Sequence, residues 1–220
     1  LSATAKNIIY HHGWPSSAAE GAIWSEAAAA HGICLIAVDR PGIGGSTYNP
    51  KGTFASYADD VSELLHQLNL QQAVHVGTSG GGPYACACAA NNPTTTAGLG
   101  LVASMTHCSG SGSKQLLHGM HWFDRFGYNM IANAPQLGSR GLFHEMRLTT
   151  QPWAIDLSQI TAPALVIQGY ADVNVTVPQA KWLAGQLKNV KLQLFPGETH
   201  FSLVARHAHG ILGMIKAECM

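Results

Sequence analysis

The stretch that most constrains the fold is residues 73–90, AVHVGTSGGGPYACACAA. Residues 73–76 form a short apolar run that reads as a buried strand, and 83–90 read as an Ala-rich helix. Between them lies Gly77-Thr78-Ser79-Gly80-Gly81, a G-x-S-x-G sequence. A nucleophile at the top of a sheet needs this strand–turn–helix arrangement, because a strained turn pushes the serine Oγ out into a site. Glycines two residues to either side leave room for so sharp a turn. The helix that follows directs its free N–H groups at the same point. A Gly-rich turn cradling a phosphate is the competing reading. In this segment the Gly-x-Gly-x-x-Gly pattern is not met, and no Gly-Lys-Ser/Thr is present.

Further strand signals fall at 6–10, 33–38, 98–103, 164–168 and 190–195. Helix signals fall at about 18–30, with Ser16 or Ser17 as the cap, and at 54–68, 178–187 and 201–215. Residues 105–159 intersperse His, Gly, Met and aromatic side chains without a strand signal and read as irregular. Continuously apolar strands alternating with helices predict an α/β fold. Its sheet is mostly parallel and doubly wound, with helices on both faces. Sites in such sheets lie at the carboxyl ends of the strands.

Three residues at those ends carry chemistry. Ser79 follows one strand, Asp172 follows another in QGYAD, and His200 follows the last in FPGETH. A serine hydroxyl needs a base to take its proton, and the base is commonly a histidine held in one tautomer by a carboxylate. The chain order Ser, Asp, His is that of one fold in particular. Taken alone, Asp172 also reads as a turn cap. Asp156 precedes its strand and so lies at the wrong edge; Asp39 ends a strand but sits in a turn-rich DRPGIGGS loop. His207 and His209 fall inside a predicted helix. A tetrahedral intermediate also needs N–H donors. The N–H of Gly80 and that of Trp14, in the HHGWP loop after the first strand, are the candidates; Trp14 also reads as a core aromatic. His118 and His121 have one-face spacing for a metal but no evident third ligand, so no metal and no cofactor are expected.

These motifs together resemble the α/β-hydrolase superfamily. HHGWPSS resembles its oxyanion loop, DRPGIGGS the loop after its fourth strand, GTSGGG its nucleophile elbow, and GYAD and GETH its acid and base loops; they span residues 8–203 in order. PWAIDLSQITAPALVIQGYADVNVTV is similar to a group of single-domain hydrolases. The resemblance implies Ser79, Asp172 and His200 as a triad with Trp14 and Gly80 as oxyanion donors. It also implies one domain over 1–220, with a small cap insertion at about 105–160. The family's opening antiparallel hairpin is missing ahead of the strand at residue 6. By fold analogy His11, Tyr84, Met105, Trp122, Phe126 and Phe201 are expected to line an apolar pocket. Serine rather than aspartate at the elbow implies an acyl-enzyme, with a carboxylic ester of a small molecule as the first choice of substrate. Carbon–carbon bond hydrolysis, lyase or perhydrolase chemistry uses the same triad, and a non-catalytic ligand receptor is the alternative of another class.

Composition excludes several partners. Lys+Arg and Asp+Glu both number 12, which argues against a nucleic-acid groove or an anionic membrane surface. No apolar run is long enough to span a membrane, and the N-terminus lacks the pattern of a secretory signal. The five cysteines show no zinc-ribbon or thioredoxin spacing and read as packing thiols in a reducing, cytoplasmic setting.

Overall fold

A computed structural model describes residues 6–106 and 140–220. Six strands form one sheet in the order β2-β1-β3-β4-β5-β6. They are β1 (Lys6–His11), β2 (Ile33–Val38), β3 (Ala73–Thr78), β4 (Thr96–Val102), β5 (Ala164–Gly169) and β6 (Val190–Phe195). Each neighbouring pair is parallel, in registers such as Ile9↔His75 and Val76↔Gly100. The helices are α1 (Ser25–His31), α2 (Phe54–Gln67), α3 (Gly82–Asn91), α4 (Arg140–Thr150), α5 (Val177–Gln186) and α6 (His200–Cys219).

Alternate residues of each central strand serve opposite faces, as the pleat demands. Ile8, Tyr10, Val74, Val76, Leu165 and Ile167 pack against α1 and α6. Ile9 and Ala73 pack against α2 and α3, and Leu99, Leu101 and Val166 against α3 and α5. Cys86 and Cys88, two apart on α3, enter different clusters, as their spacing predicts. Burial on both faces explains why the strands are continuously apolar. In β4 glycine replaces a side chain where α6 comes close: a Cβ on Gly98 would lie 2.5 Å from that of Cys219.

Four local expectations change. Instead of one helix over 18–30, the chain forms a 3-10 turn (Ala18–Trp24) and then the short α1. Ser17 holds the N-cap position but its side chain makes no cap hydrogen bond; the Asp39 carboxylate accepts from the Ala18 N–H at 2.7 Å. Gly21 presses this turn onto β2, where a Cβ would meet that of Ala37 at 2.7 Å. Within 105–159, read as irregular, residues 140–150 are helical as α4, and Leu157–Gln159 is a 3-10 turn. The positions α4 buries are Gly141, Glu145, Met146, Thr149 and Thr150, so only Met146 puts a long apolar side chain on its inward stripe. The last helix starts at His200 and runs to Cys219. Among the described residues every strand pairing is parallel, and no helix is long and apolar enough to cross a membrane.

After β1 the chain runs outward to β2, then returns across β1 to β3 and continues the other way. Direction therefore reverses between β1 and β3, and a crevice opens beyond their carboxyl ends. The loop after β1 and the turn after β3 meet there.

Candidate active site

Ser79 is the first residue after β3 and has φ +52°. A left-handed conformation costs a residue with a Cβ about 1–2 kcal/mol, and the surrounding contacts impose it. A Cβ on Gly77 would lie 2.6 Å from the Gly81 carbonyl oxygen. A Cβ on Gly81 would fall on the His11 carbonyl oxygen. The elbow is thus wedged between its own strand and the end of β1, and the Met105 N–H donates to the Ser79 carbonyl at 3.0 Å.

The imidazole of His200 stands beside the serine, with Nε2 3.0 Å from Ser79 Oγ. Its Nδ1 lies 2.8 Å from Asp172 Oδ2. His200 opens α6, where Thr199 and Ser202 form a reciprocal capping box that sets the helix start. Asp172 is buried, and its oxygens are filled by other donors. The N–H groups of Asn174 and Val175 donate to Oδ1, each at 2.9 Å, and Gln168 Nε2 donates to Oδ2 at 2.9 Å. The loops after β5 and β6 are bound together, since Ala171 N–H donates to the Glu198 carbonyl at 2.9 Å and Tyr170 N–H to that of Phe195 at 3.0 Å. Asp172 and His200 are therefore placed as one unit.

The loop after β1 closes the other side. A Cβ on Gly13 would lie 3.5 Å from that of Ser79, and one on Gly80 would lie 3.2 Å from the Trp14 nitrogen. Gly13 N–H donates to Glu20 Oε1 at 2.9 Å, and Tyr10 OH donates to the same oxygen. Glu20 thus occupies the Gly13 N–H, while the Trp14 nitrogen stands next to Gly80. His12 Nδ1–H donates to the Gly13 carbonyl at 2.7 Å; burial and nearby Arg40 push its pKa down to about 4, so the ring is neutral.

Of the pocket residues expected from sequence, Met105 stands at the site, 3.6 Å from where a Cβ on Gly80 would be. Phe201 is 78% exposed and meets the His200 ring edge-on, so it forms a rim. Two expectations are corrected. His11 lies inside the molecule, bonded through Nδ1 to Tyr57 OH at 2.8 Å and through Nε2 to His75 Nδ1 at 3.2 Å, because its position in β1 faces α2. Tyr84 is buried against Phe54 and Tyr57, ring centroids 4.9 Å apart in both cases. Trp122 and Phe126, with His118 and His121, lie outside the described residues. Among the described residues one group has donors close enough for a metal: His11, His75 and Cys88. It is sealed in the core, and hydrogen bonds already engage both nitrogens of His11 and one of His75.

Sequence reasoning did not single out Gln168, Glu20, Arg40 or Glu145. Gln168 and Arg40 sit at strand ends, which is the signal that selects Ser79. Glu20 and Glu145 carry no local signal, because their partners are distant in sequence or buried by packing.

A doubly wound parallel sheet with a Ser–His–Asp relay at its switch point defines a class of fold and site. The family description "alpha/beta hydrolase fold" matches residues 6–157, and the chain belongs to that family. It is 41% identical over 76 residues to the "Bifunctional esterase/perhydrolase DCH" of Acinetobacter calcoaceticus. It is 41% identical over 76 residues to the "Non-heme chloroperoxidase" of Streptomyces lividans. Each match covers 34% of this chain, and the chain spans only 28% of the length of either relative. The fold is similar to that of an alpha/beta hydrolase fold protein from Nakamurella multipartita (TM-score 0.75, 23% identity, 98% of this chain and 92% of that one). It is also similar to the esterase EaEST from Exiguobacterium antarcticum (TM-score 0.77, 17% identity, 97% and 91%).

Proposed function

We propose that this protein is a serine hydrolase that opens a carboxylic ester, or a related acyl bond, of a small apolar substrate through an acyl-enzyme on Ser79. The observation that carries this reading is the unbroken chain Asp172–His200–Ser79, with contacts of 2.8 and 3.0 Å. Ser79 Oγ attacks the acyl carbon as His200 Nε2 takes its proton. The carbonyl oxygen becomes an oxyanion that accepts from the N–H groups of Trp14 and Gly80. The intermediate collapses, the C–O bond to the alkoxide breaks, and His200 returns the proton to give the alcohol. Water then repeats the attack, releasing the carboxylic acid and restoring Ser79. Asp172 accepts from Nδ1–H throughout, which fixes the tautomer and stabilises the imidazolium. Met105 and the rim residue Phe201 would meet an apolar acyl group, and the segment carrying α4 would cover it.

The relative named an esterase/perhydrolase favours one further outcome of the same intermediate. Hydrogen peroxide in place of water would release a peracid from Ser79.

A short-chain nitrophenyl ester tests the reading. A burst of nitrophenol and a fluorophosphonate adduct on Ser79 are expected, with Ser79→Ala lowering kcat by about 10⁴-fold or more. Normal turnover by Ser79→Ala would exclude this mechanism. Ligand-dependent melting shifts without turnover in the wild type would favour a receptor instead.

A further inference from the structure

Arg40, in the loop after β2, is only 1% exposed. Its guanidinium touches three elements: the loop after β1, α4 and α3. Nη1 donates to the His12 carbonyl and Nη2 to the Gly13 carbonyl, the latter at 3.3 Å. Nη2 also pairs with the Glu145 carboxylate of α4, itself 3% exposed. The guanidinium carbon lies 4.6 Å from the centroid of Tyr84, on the helix that follows Ser79.

The Gly13 carbonyl belongs to the same peptide unit as the Trp14 N–H. In a planar trans peptide the two point in opposite directions, so whatever holds the carbonyl aims the N–H. Arg40 Nη2, His12 Nδ1 and the Ser16 N–H (3.1 Å) all hold that carbonyl. Helix α4 is tied to the same loop a second time, since Trp14 Nε1 donates to the Leu142 carbonyl at 3.4 Å. It is also tied to the next loop, where His144 Nε2 donates to the Gly52 carbonyl at 2.7 Å.

We infer that Arg40 and Glu145 are positioning residues for acyl transfer: together they orient the Gly13–Trp14 peptide so that its N–H faces the oxyanion, and they make that orientation depend on the seating of α4. The inference rests on Ser79 being the nucleophile. A guanidinium suits the task because its planar fork reaches two carbonyls and a carboxylate at once, which an ammonium does not. When ionised, Glu145 balances a charge that burial would otherwise leave uncompensated.

Two variants separate positioning from mere support. Arg40→Lys keeps the charge but not the fork; kcat should fall about 10- to 100-fold with KM within about threefold, because a donor is misaimed rather than removed. The double variant Arg40→Met/Glu145→Leu replaces a buried pair by apolar side chains, an exchange often neutral or stabilising. It should melt near the wild type and still show the kcat deficit. Wild-type kcat in Arg40→Lys, or kcat recovered in step with stability in the double variant, would overturn the assignment and leave the Ser79 reading intact. A wild type with neither ester turnover nor a Ser79 adduct would overturn both.

Discussion

Replacing Gly81 by alanine perturbs the site through a single methyl group. That carbon would fall on the His11 carbonyl oxygen, 2.6 Å from both the His11 carbonyl carbon and the His12 carbonyl oxygen. These are backbone atoms of β1 and of the loop that follows it, so no side chain can swing aside. Restoring ordinary contact, which begins at 3.4 Å, requires the end of β1 and the elbow to part by more than about 1 Å. The Trp14 N–H would move away from Ser79 and Gly80 with them. Misplacement on that scale costs on the order of 10²-fold in rate, and overpacking of this kind costs about 1–3 kcal/mol. For a chain this long that corresponds to a Tm lower by roughly 2–12 °C. Steady-state hydrolysis of a nitrophenyl ester, the rate of fluorophosphonate labelling and a thermal melt would be read on one preparation. Gly185→Ala is the control, because nothing lies within 4 Å of its Cβ position. The expected result is a fall in kcat and labelling together, at nearly constant KM, beside a control whose kcat and labelling are unchanged. A kcat within threefold of wild type and an unshifted melt would show that the elbow is not wedged against β1.

Asp172→Asn keeps the shape of the carboxylate but cannot fix the His200 tautomer, and should lower kcat by about 10³–10⁴-fold, with KM little changed; a loss under tenfold would remove Asp172 from the relay. Gly210→Ala, inside α6 with open space at its Cβ position, should raise the Tm by roughly 1–4 °C, since glycine in a helix costs about 0.5–1 kcal/mol relative to alanine; a lower Tm would contradict the open space. Burial pushes the Glu145 carboxyl up to about 7, against the pull of Arg40. A raised pKa means the fold holds a proton that the unfolded chain releases, so the associated stability is complete below the ordinary glutamate range and is lost as pH rises through 7. Tyr57 and Tyr84 also face this carboxyl, and burial holds both phenols above their ordinary value, outside that window. The Tm of the wild type relative to Glu145→Gln should therefore fall between pH 5 and pH 8; a flat or rising difference would refute the shift.

The elbow was legible because its requirements are local. Strand, turn and helix follow one another in residues 73–90, and the glycines that permit the turn stand two residues from Ser79. Asp172 and His200 were legible by position, since each follows an apolar run and all parallel strands present their carboxyl ends to one rim. Helix α4 was not legible, because all but Met146 of the residues it buries are polar or small, and Glu145 acquires its place from a partner, Arg40, far away in sequence. For the same reason His11 looked like a site residue: its neighbours in sequence are in the site, but the pleat turns its ring to the other side, toward Tyr57 and His75. The alternation of apolar runs and helices and the strand–turn–helix around Ser79 belong to the sequence alone, because each depends on residues close along the chain. Which N–H of the HHGWP loop is free, how the Gly13–Trp14 peptide is aimed and why an arginine and a glutamate 105 positions apart are both buried belong to the tertiary structure. Those features depend on which groups packing removes from water, and desolvation is a property of the assembled fold.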